Sequence, residues 1–247
     1  MYSNFYIFRY AMIMVVLVAA ILSAAAMFLK PLQEENVRID KMKGILASAN
    51  IEATTENAIE LYAKNITREI VVNNKGEVVS VYTNGSFEKG DISAFDLNLK
   101  KELYKKSKGL EFNIPLLIAE ANGVKTFIIP LYGNGLWGPV WGNIAVKENF
   151  STVIGVTFGH KGETPGLGAE IDTKVFQAQF KGKEIFKGDE FKSVLIVKGG
   201  IVTLPESEHI HGVDAITGGT ITSVGVSDML KNCLENYVPY IRSKDGQ

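Results

Sequence analysis

Between residues 213 and 226 the chain reads VDAITGGTITSVGV, and Thr217, Thr220, Thr222 and Ser223 set hydroxyls among small residues. The segment runs directly into an apolar stripe of helical period, so its hydroxyls stand where a helix would offer free amides to a phosphate. No lysine or arginine occurs from 213 to 226. A free phosphate monoester carries close to two negative charges and calls for charge-assisted donors. A phosphate esterified to a hydroxyl carries about one and is held by its bond, so a cation-poor site suits the esterified form better.

Two more glycine-rich segments stand apart from the rest, 131–142 (LYGNGLWGPVWG) and 160–171 (HKGETPGLGAEI). Glycines let backbone approach a ligand closely, and the plain alternative is that all three segments are turns. Neither nucleotide signature fits. No Gly-Lys-Ser/Thr follows a four-residue spacer, and no dinucleotide fingerprint lies between a strand and a helix. Trp137 and Trp141 suit a planar cofactor, a core or an interface between subunits equally. His209 and His211 would share one face of a strand and mimic a metal pair, but no third ligand is evident, so solvated loop histidines are expected and no metal.

The elements around these segments follow from period. Residues 69–72 and 77–82 are β-branched runs around Asn73-Asn74-Lys75-Gly76, which predicts a hairpin. Residues 110–119 and 124–131 pair across Asn122-Gly123 by the same logic, with further strands at 143–146, 153–158 and 194–197. Helices are expected at 55–66 with Thr55 as N-cap, at 96–107 and at 172–180. At the C-terminus, Val226, Met229, Leu230, Cys233, Tyr237 and Ile241 share one helical stripe, and Ser223 is placed to cap its start. Cys233 on that stripe is expected to be buried and inert. Strands joined by tight turns, without regular alternation with helices, give an α+β domain on an antiparallel sheet with flanking helices.

With 247 residues and a formal charge of −1, the chain can bury a sizeable core. Its charges are balanced and spread, with no basic stripe to track nucleic acid. One cysteine excludes an internal disulfide and leaves too few thiolates for a zinc or iron–sulfur site. Residues 10–29 are apolar without one charge, flanked by Arg9 and Lys30. About 20 such residues suffice to span a bilayer, so 1–30 reads as a transmembrane anchor, with a cleavable signal peptide as the competing reading. A charged stalk helix over 31–50 and one domain over 51–247 complete the division. Lys30, Arg38, Lys41 and Lys43 follow the span against Arg9 before it, a count that by itself puts the domain in the cytoplasm. The span holds no acidic residue, so this chain is not expected to form an ion path alone.

The 214–223 segment, DAITGGTITS, resembles the flavinylation motif of the FMN-binding domain family, Asp-x-x-Ser-Gly-Ala-Thr-x-Thr-Ser. Together with GETPGLG at 162–168 and YGNGLWG at 132–138, and over the whole chain, it is similar to the C subunit of the sodium-translocating NADH:quinone oxidoreductase. That resemblance implies FMN attached covalently, as a phosphoester on Thr220, installed from FAD by a separate flavin transferase. Thr217 replaces the usual serine and Gly219 the usual alanine, and both keep the site small. The resemblance also implies that Glu163, Thr164, Leu167 and Gly168 line the flavin, the polar ones hydrogen-bonding and Leu167 packing on the ring, with Gly219 and Thr222 beside the acceptor. Thr164-Pro165-Gly166 reads equally as a turn. By the same resemblance, the chain is an electron-relay subunit of a bacterial inner-membrane complex that couples NADH oxidation and quinone reduction to sodium export. Its partners are the other membrane and redox subunits, and its domain is periplasmic. The flavin subunit of the related ferredoxin-linked electron transport complex is one alternative, and a cofactor-free membrane-anchored binding or scaffold module is another.

Overall fold

The computed structural model describes residues 3–121 and 123–245. Two compact units divide the chain, Met1–Lys41 and Met42–Gln247. Helix α1 (Asn4–Ser48) supplies the first as far as Lys41, its last turns from Met42 belonging to the second, and the apolar side chains from Phe5 to Leu29 are exposed along it. Among the described residues this is the one helix long and apolar enough to cross a membrane. A helix satisfies its own backbone groups, so an apolar helix with no protein around it is suited to lipid. Pro31 lies inside the helix, where it removes one N–H from the ladder.

In the second unit α2 (Ala58–Asn65) precedes a seven-stranded antiparallel sheet. Its strands are β1 (Ile66–Asn73), β2 (Val78–Thr83), β3 (Ser86–Lys89), β4 (Asn113–Ala121), β5 (Val124–Asn134), β6 (Pro139–Val146) and β7 (Val153–His160). They lie in the order β3-β2-β1-β4-β5-β6-β7. Both expected hairpins form. Asn73 Oδ1 accepts from the amides of Lys75 and Glu77 to close the first, and Leu117 faces Ile128 in the second, whose turn residue Asn122 lies outside the described residues. Ile70, Val71 and Val72 are buried in succession, as are 114–119, so the central strands bury both faces.

One face carries the main core and receives the C-terminal helix. Helix α3 (Leu99–Ser107) is capped by Asn98, whose side chain accepts from Lys101 N at 3.1 Å, and α4 (Lys174–Ala178) by Thr173. The short hairpin β8 (Phe186–Lys187) and β9 (Glu190–Phe191) and the parallel pair β10 (Leu195–Val197) and β11 (Gly212–Asp214) lead to α5 (Thr220–Leu234) and α6 (Val238–Asp245). Val226, Met229, Leu230 and Cys233 of α5 are buried in this core, as the stripe required, and Ile241 is partly so. The last turns of α1 cover part of the other face. Thr157 of β7 donates to the Gly44 carbonyl at 3.0 Å, and a Cβ on Gly155 would stand 2.6 Å from the Ser48 carbonyl oxygen.

Four local expectations need correction. Thr55 does not cap α2: Asn57 holds that position, and its Oδ1 accepts from Thr54 N at 2.7 Å. Ser223 lies within the first turn of α5, and Gly219 is the N-cap. His209 and His211 belong to a 3-10 helix, Glu206–His211, and neither is a solvated loop residue. His211 is buried with Nδ1 2.7 Å from the Glu184 carbonyl, and His209 Nε2 lies 3.0 Å from that of Leu204. Edge strand β3 is an addition to the expected strands, although Asn84-Gly85 precedes it, both with positive φ (46° and 91°), which is the signature of a tight hairpin turn.

Burial pushes the Cys233 thiol up to about 11, against a weaker opposing backbone hydrogen bond at Tyr132. Its ordinary value is 9.0, so this group's contribution to stability is complete below that pH and is lost as pH rises through about 11. Tyr237 hydroxyl, buried and bonded to the Pro115 carbonyl, is raised in the same sense. Denaturant midpoints are therefore expected to fall across pH 9 to 11, less steeply in Cys233→Ala. Parallel curves for the two proteins would remove the thiol as the cause.

Candidate functional site

The loop from β11 to α5 is fixed by its own backbone before any ligand is considered. Gly219 N donates to the Ile216 carbonyl at 3.0 Å, Ser223 N to the Gly219 carbonyl at 2.9 Å, and Ile216 N to Ser223 Oγ at 3.2 Å. Gly218 has φ +77°, a conformation that favours glycine, and a Cβ there would stand 2.6 Å from Leu167 Cδ2 and push that side chain aside. The motif's aspartate, Asp214, ties down the preceding turn, its Oδ1 accepting from Ile201 N at 2.7 Å. Thr217 and Thr220 are exposed, Thr220 being the first residue of α5, while Gly219 and Thr222 are buried.

Thr222 Oγ1 donates to Glu163 Oε2 at 2.5 Å, and Trp137 N donates to Glu163 Oε1 at 2.8 Å. Glu163 is only 4% exposed. One buried carboxylate thus joins all three glycine-rich segments. The glycines around it are where side chains would not fit. A Cβ on Gly168 would lie 2.4 Å from Thr222 Oγ1, one on Gly135 2.5 Å from Glu163 Oε1, and one on Gly225 2.2 Å from the Asn134 carbonyl oxygen. Thr164-Pro165-Gly166 does make a turn, with Leu167 N and Ala169 N both donating to the Thr164 carbonyl at 3.1 Å and Gly166 at φ +74°.

Of the residues singled out from sequence, Thr220, Thr164 and Leu167 present surface. Glu163, Gly168, Gly219 and Thr222 lie beneath it. Trp137 and Trp141 are both exposed, at 66% and 44%. No group of three or more histidines, cysteines or acids among the described residues could hold a metal ion. A further residue joins the site that sequence reasoning passed over: His160, the last residue of β7, whose Nδ1 accepts from Glu163 N at 3.1 Å. Its signal was a histidine three residues ahead of the glutamate, within reach of that residue's amide.

These residues fit an esterified flavin phosphate. An exposed hydroxyl stands on the first turn of a 15-residue helix, whose leading amides supply partial positive charge where no cation is present in sequence. Leu167 beside Gly218 offers an exposed apolar surface to a ring.

The FMN-binding domain family matches residues 135–235, which enclose all three segments' meeting point. The C subunit of the Na(+)-translocating NADH-quinone reductase of Vibrio parahaemolyticus serotype O3:K6 is 34% identical over 215 residues, 83% of this chain and 81% of its own. Its counterpart in Pasteurella multocida (strain Pm70) is 33% identical over 218 residues, 85% and 82% of the two chains. Among solved structures, the same reductase's C subunit from Parabacteroides distasonis ATCC 8503 has a TM-score of 0.74 at 38% identity, covering 86% of this chain and 96% of that one. Shewanella oneidensis NqrC, at 23% identity and a TM-score of 0.65 over 84% and 99% of the two chains, shares the fold. With a third of its residues identical over most of its length, an apolar N-terminal helix and an antiparallel-sheet domain, the chain belongs to the family of the C subunit of the Na(+)-translocating NADH-quinone reductase.

Proposed function

We propose that the chain carries FMN as a phosphoester on Thr220 and relays electrons between cofactors of neighbouring subunits, within a membrane complex coupling NADH oxidation and quinone reduction to sodium export. The observation that carries this reading is the contrast within one helical turn: Thr220 is exposed, whereas the Thr222 hydroxyl is buried against Glu163. Thr220 Oγ1 would take the FMN phosphate from FAD with release of AMP, a flavin transferase being the catalyst. The α5 amides would hold that phosphate and Leu167 and Thr164 would border the ring, while the Glu163 carboxylate holds the loops together behind them. When bound, FMN supplies the electron-transfer chemistry, and the protein positions it.

Residues 1–30 serve as the anchor, 31–50 as the stalk and 51–247 as the flavin domain. No helix-borne dinucleotide fingerprint accompanies the site, and hydride transfer requires nicotinamide held against the flavin. The flavinylated full chain in detergent, under anaerobic conditions, is therefore expected to bleach with dithionite and to stay coloured with NADH alone. Rapid bleaching by NADH would make it a dehydrogenase in its own right, and a colourless protein would make it a scaffold.

The domain lies on the periplasmic side in this reading. Arg9 next to a short tail retains that tail in the cytoplasm, and charge in a long following domain counts less. Protease added to spheroplasts is expected to digest the domain, and full protection there reverses the topology.

A further inference from the structure

The His160 ring lies between two segments of the site, with a side chain only 18% exposed. Glu163 N donates to its Nδ1 at 3.1 Å, and its Nε2 lies 3.5 Å from Asp172 Oδ2 in the 3-10 helix Gly168–Asp172. An amide can donate to Nδ1 only when that nitrogen carries a lone pair, so the ring's proton sits on Nε2 and points toward Asp172. From Glu163 the chain of bonds continues through its carboxylate to Trp137 N at 2.8 Å and Thr222 Oγ1 at 2.5 Å. Asp172, His160, Glu163 and Thr222 thus form one connected path into the first turn of α5, where Thr220 is displayed.

We propose that His160 is a positioning residue of the flavin site, its neutral imidazole holding the 161–168 loop so that Glu163 can clamp Thr222 and the α5 start. This rests on the reading that flavin is carried on Thr220. Without an acceptor at the Nδ1 position the Glu163 amide loses this partner, and the loop bearing Leu167 and Gly168 loses its tether. Asp172 on the 3-10 helix faces the ring, and the side chain of Lys161, next in chain, runs past Gly138. On β6 the residue opposite is the uncharged Val140.

The test uses the full chain in detergent, with and without flavin, as wild type, His160→Asn and His160→Ala. Asparagine can place its Oδ1 near the Nδ1 position and accept from Glu163 N, whereas alanine cannot. In the flavin-free proteins at one pH, hydrogen exchange over 161–168 should be roughly tenfold faster in His160→Ala than in wild type, the equivalent of one good hydrogen bond lost. His160→Asn should keep the slow exchange of wild type. In the flavinylated proteins the visible circular dichroism of the flavin should follow the same pattern. An additional reading needs no variant: nitrogen NMR of labelled histidine at pH 8 should show the His160 proton on Nε2. A proton on Nδ1, an Asn variant that exchanges as fast as His160→Ala, or an Ala variant indistinguishable from wild type would each overturn the proposal. Absence of flavin from Thr220 with the exchange pattern intact would instead refute the functional reading beneath it.

Discussion

Thr220→Val is expected to abolish the fluorescent flavin band after denaturing electrophoresis, and with it the mass increment of one esterified FMN, while leaving the domain folded. Valine preserves the β-branched shape at the first position of α5 and removes only the hydroxyl. The residue is exposed, so the change opens no cavity and strands no buried partner. The neighbouring hydroxyls give contrasting outcomes. Thr222→Val deprives the buried Glu163 carboxylate of a donor at 2.5 Å, which costs about 2 kcal/mol, yet the Thr220 hydroxyl remains available for modification. Thr217→Val, at an exposed loop position, should change neither stability nor flavin content. Fluorescence surviving in Thr220→Val would move the ester to one of these neighbours.

Gly225→Ala should destabilise the domain by about 3 kcal/mol and lower its melting temperature by roughly 6–12 °C. Helix propensity by itself argues the opposite, since alanine in a helix interior is favoured over glycine by about 1 kcal/mol. Space decides the sign. The new methyl would stand 2.2 Å from the Asn134 carbonyl oxygen and 3.3 Å from Gly135 Cα, both backbone atoms that no rotamer change can move aside. Helix α5 must therefore withdraw from the end of β5. Because a Cβ on Gly135 would already meet Glu163 Oε1 at 2.5 Å, that withdrawal reaches the clamp and should slow flavinylation as well. Gly162→Ala is the control: nothing lies within 4 Å of its added Cβ, and stability should stay within about 0.5 kcal/mol of wild type. An unchanged melting temperature in Gly225→Ala would mean that α5 does not sit on β5 at backbone contact.

Local pattern carried much of this structure in the sequence. The β-branched runs around Asn73-Asn74-Lys75-Gly76 determined the β1–β2 hairpin, and the apolar stripe from Val226 to Tyr237 determined the buried face of the C-terminal helices, because each signal lies within a few residues of its partner. The TGGT segment and the uncharged stretch at 10–29 likewise marked, over one short window each, hydroxyls at a helix start and an apolar helix long enough to cross a membrane. What tertiary structure decided is the assignment of roles among residues that look alike in sequence. Thr220 and Thr222 differ by two positions, yet one faces solvent and the other donates to a carboxylate 59 residues earlier in the chain. Glu163 read as a flavin contact, and the fold engages both its oxygens with the protein; His160 gave no sign of its place until β7 set it against the following loop. Period and composition record which side a residue faces within its own element, whereas the meeting of three distant loops at one buried carboxylate depends on how the elements pack, and only the folded chain specifies that.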